Sequence, residues 1–380
     1  MTSSAAPLPR VAVDATSLYD VRTGIGRFTE ELLRAVGLRS DLEVLAFAVT
    51  LRGRGDLATL VPPGVGTTRR WPMAARPLRT LWRRADHPRI ERWTGDIDLV
   101  HGSNFVAPPS RRARVATVHD LTFLHHPELC TPDVLEYEGL VRRQLRTGAW
   151  VHTPSRFVRD EVVHLLGADP ARVVAVPLGV TPGASPRPSR GRDLAGGDRY
   201  VLAVGTVEPR KDLPTLVSAF DALATDHPDL RLVLAGPEGW GTRALDDAVA
   251  RAGHATRIVR LGFVSEADRG GLVAGAAAVA VPSRYEGFGL SAAEAMAAGT
   301  PVVASDAGSH PEVVGEAGLL VPPGDPDAMG AALHRVLSDP VLADTLRQRG
   351  RERAAQLTWT ATADGIVDLW RRAIVDRRSP

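Results

Sequence analysis

Short uninterrupted apolar runs alternate along the chain with longer stretches in which apolar positions recur every three or four residues. The runs predict strands at 10–14, 44–49, 99–101, 114–119, 150–154 and 173–177, and again at 200–205, 231–235, 258–261, 277–281, 301–305 and 318–321. They lack the apolar–polar alternation of a half-exposed sheet, so they fit parallel strands covered on both faces. Helical spacing is clear at 25–36 and 155–166, and Ser265 followed by Asp268 marks another helix start. The pattern is that of two α/β domains in tandem.

Residues 181–198 break this rhythm with Pro, Gly, Ser and Arg and almost no large apolar side chain, which reads as an interdomain linker. The expected organisation is a first domain over 1–181, a linker over 182–199, a second domain over 200–356 and a closing helical segment over 357–380. From Asp325 onward the chain reads as helical, and Trp359, Ile366, Leu369, Trp370 and Ile374 form an apolar stripe at near-helical spacing. That stripe either packs on its own domain or crosses back to the first.

A length of 380 residues suits two domains, and 44% hydrophobic with 24% charged residues is ordinary for a globular chain. The formal charge of +2 excludes a protein that coats nucleic acid. One cysteine, Cys130, excludes an intrachain disulfide and a thiolate metal site. Together with an N-terminus that lacks a basic residue ahead of an apolar run, it points to the cytoplasm. No stretch reaches the ~18 apolar residues of a membrane span. Residues 69–93 hold eight arginines with Trp71, Trp82 and Trp93 among them. That segment is either an exposed arginine-rich surface or a peripheral contact with an anionic membrane at its inner face.

The densest chemistry lies at 284–299, RYEGFGLSAAEAMAAG, between two predicted strands. It opens as a loop whose Gly287 and Gly289 allow close backbone approach, and it becomes a helix near Leu290 whose first amides suit a phosphate. Glu286 lies in the loop mouth and Glu294 one turn inside the helix, so one carboxylate can reach a sugar and the other a ribose hydroxyl. Upstream, VGTVEPRKDL places Arg210 and Lys211 after a strand end, where two cations can neutralise a diphosphate. Of the 46 Lys and Arg residues in the chain, Lys211 alone is lysine. GC-rich codon usage explains the arginines and leaves the position of the exception to be explained. In the first half, TVHDLTFLHHPE puts His119 and Asp120 at a strand end, where ligand-facing residues of open α/β sheets occur, and Asn104 of HGSNF lies past another. The loop after the first strand is too long for a dinucleotide fingerprint and lacks its third glycine, so a dehydrogenase is a poor reading.

Embedded as EGFGLSAAEAMAAGTPVVAS, the Glu286 and Glu294 pair resembles the signature of retaining, nucleotide-sugar-dependent glycosyltransferases of the GT-B fold, family 4 (group 1) type, which include bacterial mannosyl- and glucosyltransferases. The VEPRKDL segment resembles the same family's donor-phosphate loop, and TVHDLTFL its acceptor-side histidine region. In many relatives an arginine follows the strand glycine, but here that place is Thr206. The resemblance implies two Rossmann-like domains with parallel sheets facing each other across a cleft. It implies that Lys211, with Arg210, holds the donor diphosphate, that Glu286 binds sugar hydroxyls and Glu294 the ribose, and that the Gly287, Phe288, Gly289 and Leu290 loop cradles sugar and phosphate. Gly24 and Gly26 would face the diphosphate from the first domain. His119 would border the transferred sugar, and Asp120 would stand near the acceptor hydroxyl or orient the histidine.

The expected activity is transfer of a hexose, with GDP-mannose slightly favoured over UDP-glucose, to a hydroxyl of a glycan, lipid-linked or small-molecule acceptor. Retention of configuration is expected, with no cofactor and no metal. His125 and His126 beside His119 lack the partners of a metal site, and the lone lysine, already in the phosphate loop, leaves none for a pyridoxal Schiff base. The competing readings are a GT-B-like nucleotide-sugar epimerase and a non-catalytic sugar-nucleotide-binding protein.

Overall fold

In the computed structural model, residues 8–19, 24–51, 57–68, 74–181 and 187–378 are described. They form two compact units, one of Met1–Pro177 with Trp359–Pro380 and the other of Leu178–Thr358.

The first unit holds strands β1 (Arg10–Asp14), β2 (Glu43–Phe47), β3 (Gly66–Thr67), β4 (Leu99–Gly102), β5 (Ala113–Thr117), β6 (Trp150–Thr153) and β7 (Val173–Ala175). They lie in the order 3-2-1-4-5-6-7, every pairing parallel, with Val11 opposite Val44 on one side and Leu99 on the other. The second unit holds β8 (Tyr200–Val204), β9 (Arg231–Ala235), β10 (Ile258–Gly262), β11 (Ala278–Val281), β12 (Val302–Ser305) and β13 (Leu319–Val321), in the order 10-9-8-11-12-13, again all parallel. Helices pack on both sheets, and β4, β6, β11 and β12 are buried at every position, including the polar His101, His152, Thr153 and Ser305. In each unit the strand order reverses beside its first strand, between β1 and β4 and between β8 and β11. Ligands of open α/β sheets bind at the carboxyl ends of strands at such a point. The two-residue edge strand β3 carries no periodic signal and escaped the sequence reading.

Residues 188–195, expected as linker, form a helix of the second unit that packs on the helix Glu266–Gly275. The composition that resembles a linker is a close-packing composition. A Cβ on Gly191 would stand 2.2 Å from the carbonyl oxygen of Gly271, and one on Gly271 2.8 Å from that of Arg187. Gly196, at φ +69°, closes the helix in the left-handed region. Of the expected linker, 182–186 lies outside the described residues. Ser265 caps its helix as its spacing predicts, accepting the Asp268 N–H.

The helix Trp359–Arg378 packs on the sheet of the first unit, with Ile366, Leu369, Trp370 and Ile374 buried. Thr362 Oγ1 donates to Pro177 O at 2.8 Å, and Trp150 Nε1 donates to Asp376 at 3.1 Å. Two of the tryptophans in the arginine-rich segment turn toward the core. Trp82 is 4% exposed and donates to Pro88 O, while Trp93 packs against the same cluster. Leu78 and Trp82, four residues apart on the helix Ala75–Trp82, share its inner face, so these rings do not form an outward aromatic row. Trp71, with the rest of 69–73, lies outside the described residues. Among the described residues no helix is long and apolar enough to cross a membrane.

Candidate functional site

In the second unit the chemistry gathers where β8 and β11 end. After β8 the chain passes through Gly205 into a short turn, Pro209–Lys211, closed by Asp212 in the left-handed region, φ +47°. After β11 it runs from Pro282 to Gly289 and enters the helix Leu290–Ala297. The two loops are stitched together. Arg284 N–H donates to Arg210 O at 2.8 Å, and Arg284 Nε donates to Asp212 Oδ2 at 3.0 Å.

Glu286 is the centre of this junction and is 6% exposed. Its Oε1 accepts from Lys211 Nζ and from Ser283 Oγ at 2.8 Å, and its Oε2 from Arg210 at 3.1 Å. Arg210 also donates to Glu208, 2.9 Å, and to Tyr285 O. Burial pushes the Glu286 carboxyl upward, but Lys211 first and Arg210 second outweigh it and hold it well below the usual carboxylate range. The three residues expected to divide sugar and phosphate between them are therefore one ion-paired cluster.

The loop's backbone is fixed from below by the turn after β12. A Cβ on Gly308 would lie 2.3 Å from Glu286 O, which also accepts from Ser309 N–H at 2.9 Å. Gly289, at φ +82°, could carry no side chain, because the His310 ring would lie 2.8 Å from its Cβ. Gly289 caps the helix without a side-chain hydrogen bond, and its carbonyl accepts from Ala292 and Ala293 N–H at 3.0 and 3.1 Å, so the amides ahead of Ala292 point out of the helix start. Phe288 is buried and Leu290 opens the helix. Beside this loop, a pocket of about 470 Å³, part of it open to solvent, is lined by Gly205, Thr206, Lys211, Gly236, Arg260 and Ser283. Its floor needs glycine, since a Cβ on Gly236 would stand 1.9 Å from Gly205 O.

Glu294 accepts from Arg269, a residue of the helix Glu266–Gly275 that carries no motif and that sequence reasoning missed.

In the first unit His119 and Asp120 lie just beyond β5. His119 Nε2 donates to Ser103 O at 2.7 Å, and Ser103 Oγ donates to Asp14 O at 2.6 Å, so the ends of β5, β4 and β1 are joined. Phe28 and Phe105 meet the imidazole edge-on at 5.3 and 5.8 Å. Burial pushes His119 downward against the opposing pull of Ser103 O and Asp120, so the ring is neutral with an acceptor at Nδ1. Ser103 O orients that ring, while Asp120 accepts from Thr122 N–H at 3.0 Å. Asn104 follows β4, its Oδ1 buried with no hydrogen-bond partner among the described residues. Gly24 and Gly26 begin the helix Gly24–Gly37, and Gly26 packs against Ser17 O, which a Cβ would approach to 3.1 Å. Sequence reasoning missed Asp14, a buried acid at the end of β1 whose carboxyl is raised by burial against the hydrogen bonds from Thr16. Its strand-final place at the order reversal was the available signal.

His125 pairs with Glu161 at 2.5 Å and His126 with Glu128 at 3.3 Å. Among the described residues no group of three or more His, Cys, Asp or Glu could hold a metal.

The sequence profile described as Glycosyl transferases group 1 matches residues 188–353, and that described as Glycosyltransferase Family 4 matches residues 22–183. The chain belongs to the group 1, family 4 glycosyltransferases. The O-antigen chain mannosyltransferase B of Escherichia coli is 31% identical over 370 residues, 92% of this chain and 96% of the relative. Among solved structures, the sucrose-phosphate synthase of Thermosynechococcus elongatus superposes with a TM-score of 0.77 at 22% identity, covering 97% of this chain and 100% of that one. The Anabaena protein HepE, solved in complex with UDP and glucose, superposes at 0.72 with 19% identity over 95% and 99%. These neighbours share the GT-B fold with this glycosyltransferase. The fold expected from the sequence is the one found, and the positions of Lys211 and Glu286 at the β8 and β11 strand ends place the family signature at the order reversal of the second unit.

Proposed function

We propose that this glycosyltransferase moves a hexose from a nucleoside-diphosphate sugar to an acceptor hydroxyl with retention of configuration and without a metal. The observation that carries the reading is the convergence of Lys211 and Arg210 on one carboxylate at the ends of β8 and β11. Two cations held side by side at a helix N-terminus suit a diphosphate, and a doubly charged ligand competes with Glu286 for them. Glu294, held by Arg269, then binds the ribose, while the 287–290 loop holds sugar and phosphate.

Glu286, engaged by Lys211, Arg210 and Ser283, is a poor nucleophile, which favours front-face attack. In that step the bond from C1 to the leaving phosphate oxygen breaks, the bond from C1 to the acceptor oxygen forms on the same face, and the acceptor proton passes to the leaving phosphate. His119 borders the sugar and Asp120 the acceptor side. The mannosyltransferase relative favours mannose as the hexose, and a glycan or lipid-linked hydroxyl as acceptor. HepE's complex favours a uridine donor as the alternative. A nucleotide-sugar donor suits a reaction in the cytoplasm, and the exposed guanidinium of Arg76 suits contact at the inner membrane surface.

A thermal-shift screen over UDP-, GDP- and ADP-linked hexoses, followed by transfer assays with the donor that binds, tests this reading. Stabilisation by one donor class and formation of an α-linked product from an α-linked donor are expected. Turnover of the nucleotide sugar without acceptor to an isomeric sugar would assign an epimerase, and binding without any turnover a non-catalytic protein.

A further inference from the structure

The turn beneath the 286–289 loop holds a titratable group for which the proposed reaction has no role. His310, fully buried, opens the short helix His310–Val313. Its Nδ1 lies 2.8 Å from Ser305 O, a carbonyl that can only accept, so the ring proton sits on Nδ1 and Nε2 carries a lone pair. That Nε2 is buried with no hydrogen-bond partner among the described residues. It lies against the backbone that caps the helix Leu290–Ala297, 3.0 Å from where a Cβ of Gly289 would stand. A buried acceptor left without a donor is costly, and such an atom calls for a functional account.

The charged groups facing the ring are Glu286 and Asp306, which favour its protonation, and Lys211, which opposes it. Arg210 adds a second positive charge through its bond to Glu286. Burial is the largest influence and keeps the imidazole neutral, although the two cations Lys211 and Arg210 are outnumbered by the carboxylates Glu286, Asp306 and, paired with Arg210, Glu208. A diphosphate diester seated on those cations adds two further negative charges, and the leaving nucleoside diphosphate is more negative still. In a buried site that added charge acts on a neighbouring imidazole with little screening.

We propose that His310 takes up a solvent proton on Nε2 when a donor diphosphate binds at Lys211 and Arg210, and returns it when the nucleoside diphosphate departs. The imidazolium then supplies positive charge to the cradle as the leaving group gains its own negative charge. This inference rests on the nucleotide-sugar reading above and adds a proton to its donor-binding step.

Isothermal titration with UDP-glucose and with GDP-mannose, each in buffers of different ionisation enthalpy, measures the proton directly, because neither donor titrates near neutrality. The wild type takes up as much as about one proton per donor bound, and its affinity weakens as pH rises from ~6 to ~8. His310→Asn retains an N–H for Ser305 O and binds the donor with no uptake. Equal uptake in both proteins, or none in a wild type that binds, overturns the proposal and leaves the donor reading standing. Failure of every nucleotide sugar to bind overturns both. A second measurement needs no variant: in ¹⁵N-histidine-labelled wild type, the His310 Nε2 resonance moves from the unprotonated to the protonated range on donor addition. A donor-saturated spectrum in which it stays unprotonated overturns the proposal.

Discussion

The indole Nε1–H of Trp370 donates to Nδ1 of His101 across 3.2 Å, and that bond sets the proton positions of every group behind it. His101 must carry its proton on Nε2, which donates to Thr117 Oγ1 at 2.8 Å. The Thr117 hydroxyl donates to His152 Nδ1 at 3.0 Å, and His152 Nε2 to Val176 O at 3.0 Å. The chain of bonds fastens the closing helix to β4, β5 and β6 and is complete only with both histidines neutral. Burial is the main force that lowers both, His152 to about 4 and His101 well below its ordinary value. The unfolded state therefore binds protons at a pH where the native state does not. Stability of the first unit is level above pH ~6.5 and falls as pH drops from ~6.5 toward ~4, with buried His119 adding the same sign. Urea denaturation followed at several pH values checks this; a midpoint that does not move between pH ~7 and ~5 contradicts it. Trp370→Phe keeps an aromatic ring but removes the Nε1–H and the second ring of the indole, so it leaves His101 without its donor and a void beside it, and at pH ~8 it should cost at least about 1–3 kcal/mol.

Lys211 has 18% of its side chain exposed and packs beside Gly205, where its Cε stands 3.7 Å from a would-be Cβ. The passage admits a slim alkyl chain ending in a compact ammonium. Lys211→Ala should slow transfer about 100-fold, the scale of losing one preorganised charge contact. Lys211→Arg should recover only part of that loss, because a planar guanidinium cannot share Glu286 Oε1 with Ser283 in the same space. Steady-state rates with saturating donor decide it, and full activity of the arginine variant would return the lone lysine to a consequence of codon usage.

Gly191 separates a packed helix from a flexible linker by the sign of one substitution. In an exposed, unconstrained segment Gly→Ala stabilises by about 0.4–1 kcal/mol by restricting the unfolded chain. Here the added Cβ would meet the Gly271 carbonyl at 2.2 Å, backbone against backbone, with no flexible side chain to give way. Gly191→Ala should therefore destabilise the second unit by about 1–3 kcal/mol. Thermal or urea melts measure it, and a stabilised variant would show that 188–195 does not dock on the helix Glu266–Gly275.

The strands of the second unit were legible because parallel, doubly covered strands are apolar at successive positions: 231–235 is predicted and found with the same ends. Lys211 and Glu286 were legible as residues beyond strand ends, since motif and order reversal coincide there, and His119 as the residue just beyond β5. The cluster that Lys211 and Glu286 form with Arg210 was not. The bond from Lys211 to Glu286 joins residues 75 positions apart, and a sequence does not say whether a cation next to a carboxylate neutralises it or waits for a ligand. Arg269 was invisible for the same reason, being one arginine among many on an amphipathic helix until the fold sets it against Glu294. The helix 188–195 was misread because small residues signal both loops and tight helix crossings, and only the partner Gly271 tells the two apart. Asp14 and His310 show a related limit, since their chemistry comes from burial, which composition does not reveal.

Glu286→Gln separates the two duties proposed for this residue. The amide keeps the size of the side chain and an acceptor oxygen, so Ser283 and one cation retain a partner, but it removes the negative charge that Lys211 and Arg210 now share. If the carboxylate occupies the cations until a diphosphate arrives, the variant has lost its internal competitor, and a nucleoside diphosphate should bind more tightly by about tenfold, roughly 1.4 kcal/mol. If Glu286 also holds the sugar, transfer should fall about 100-fold in the same protein, because a contact that strengthens as the C1 bond breaks has been weakened. Tighter nucleotide with slower transfer is thus the expected pair of results, measured by titration and by initial rates. Weaker nucleotide binding would mean that Glu286 serves mainly to hold the cations in place, and unchanged transfer would remove it from the sugar.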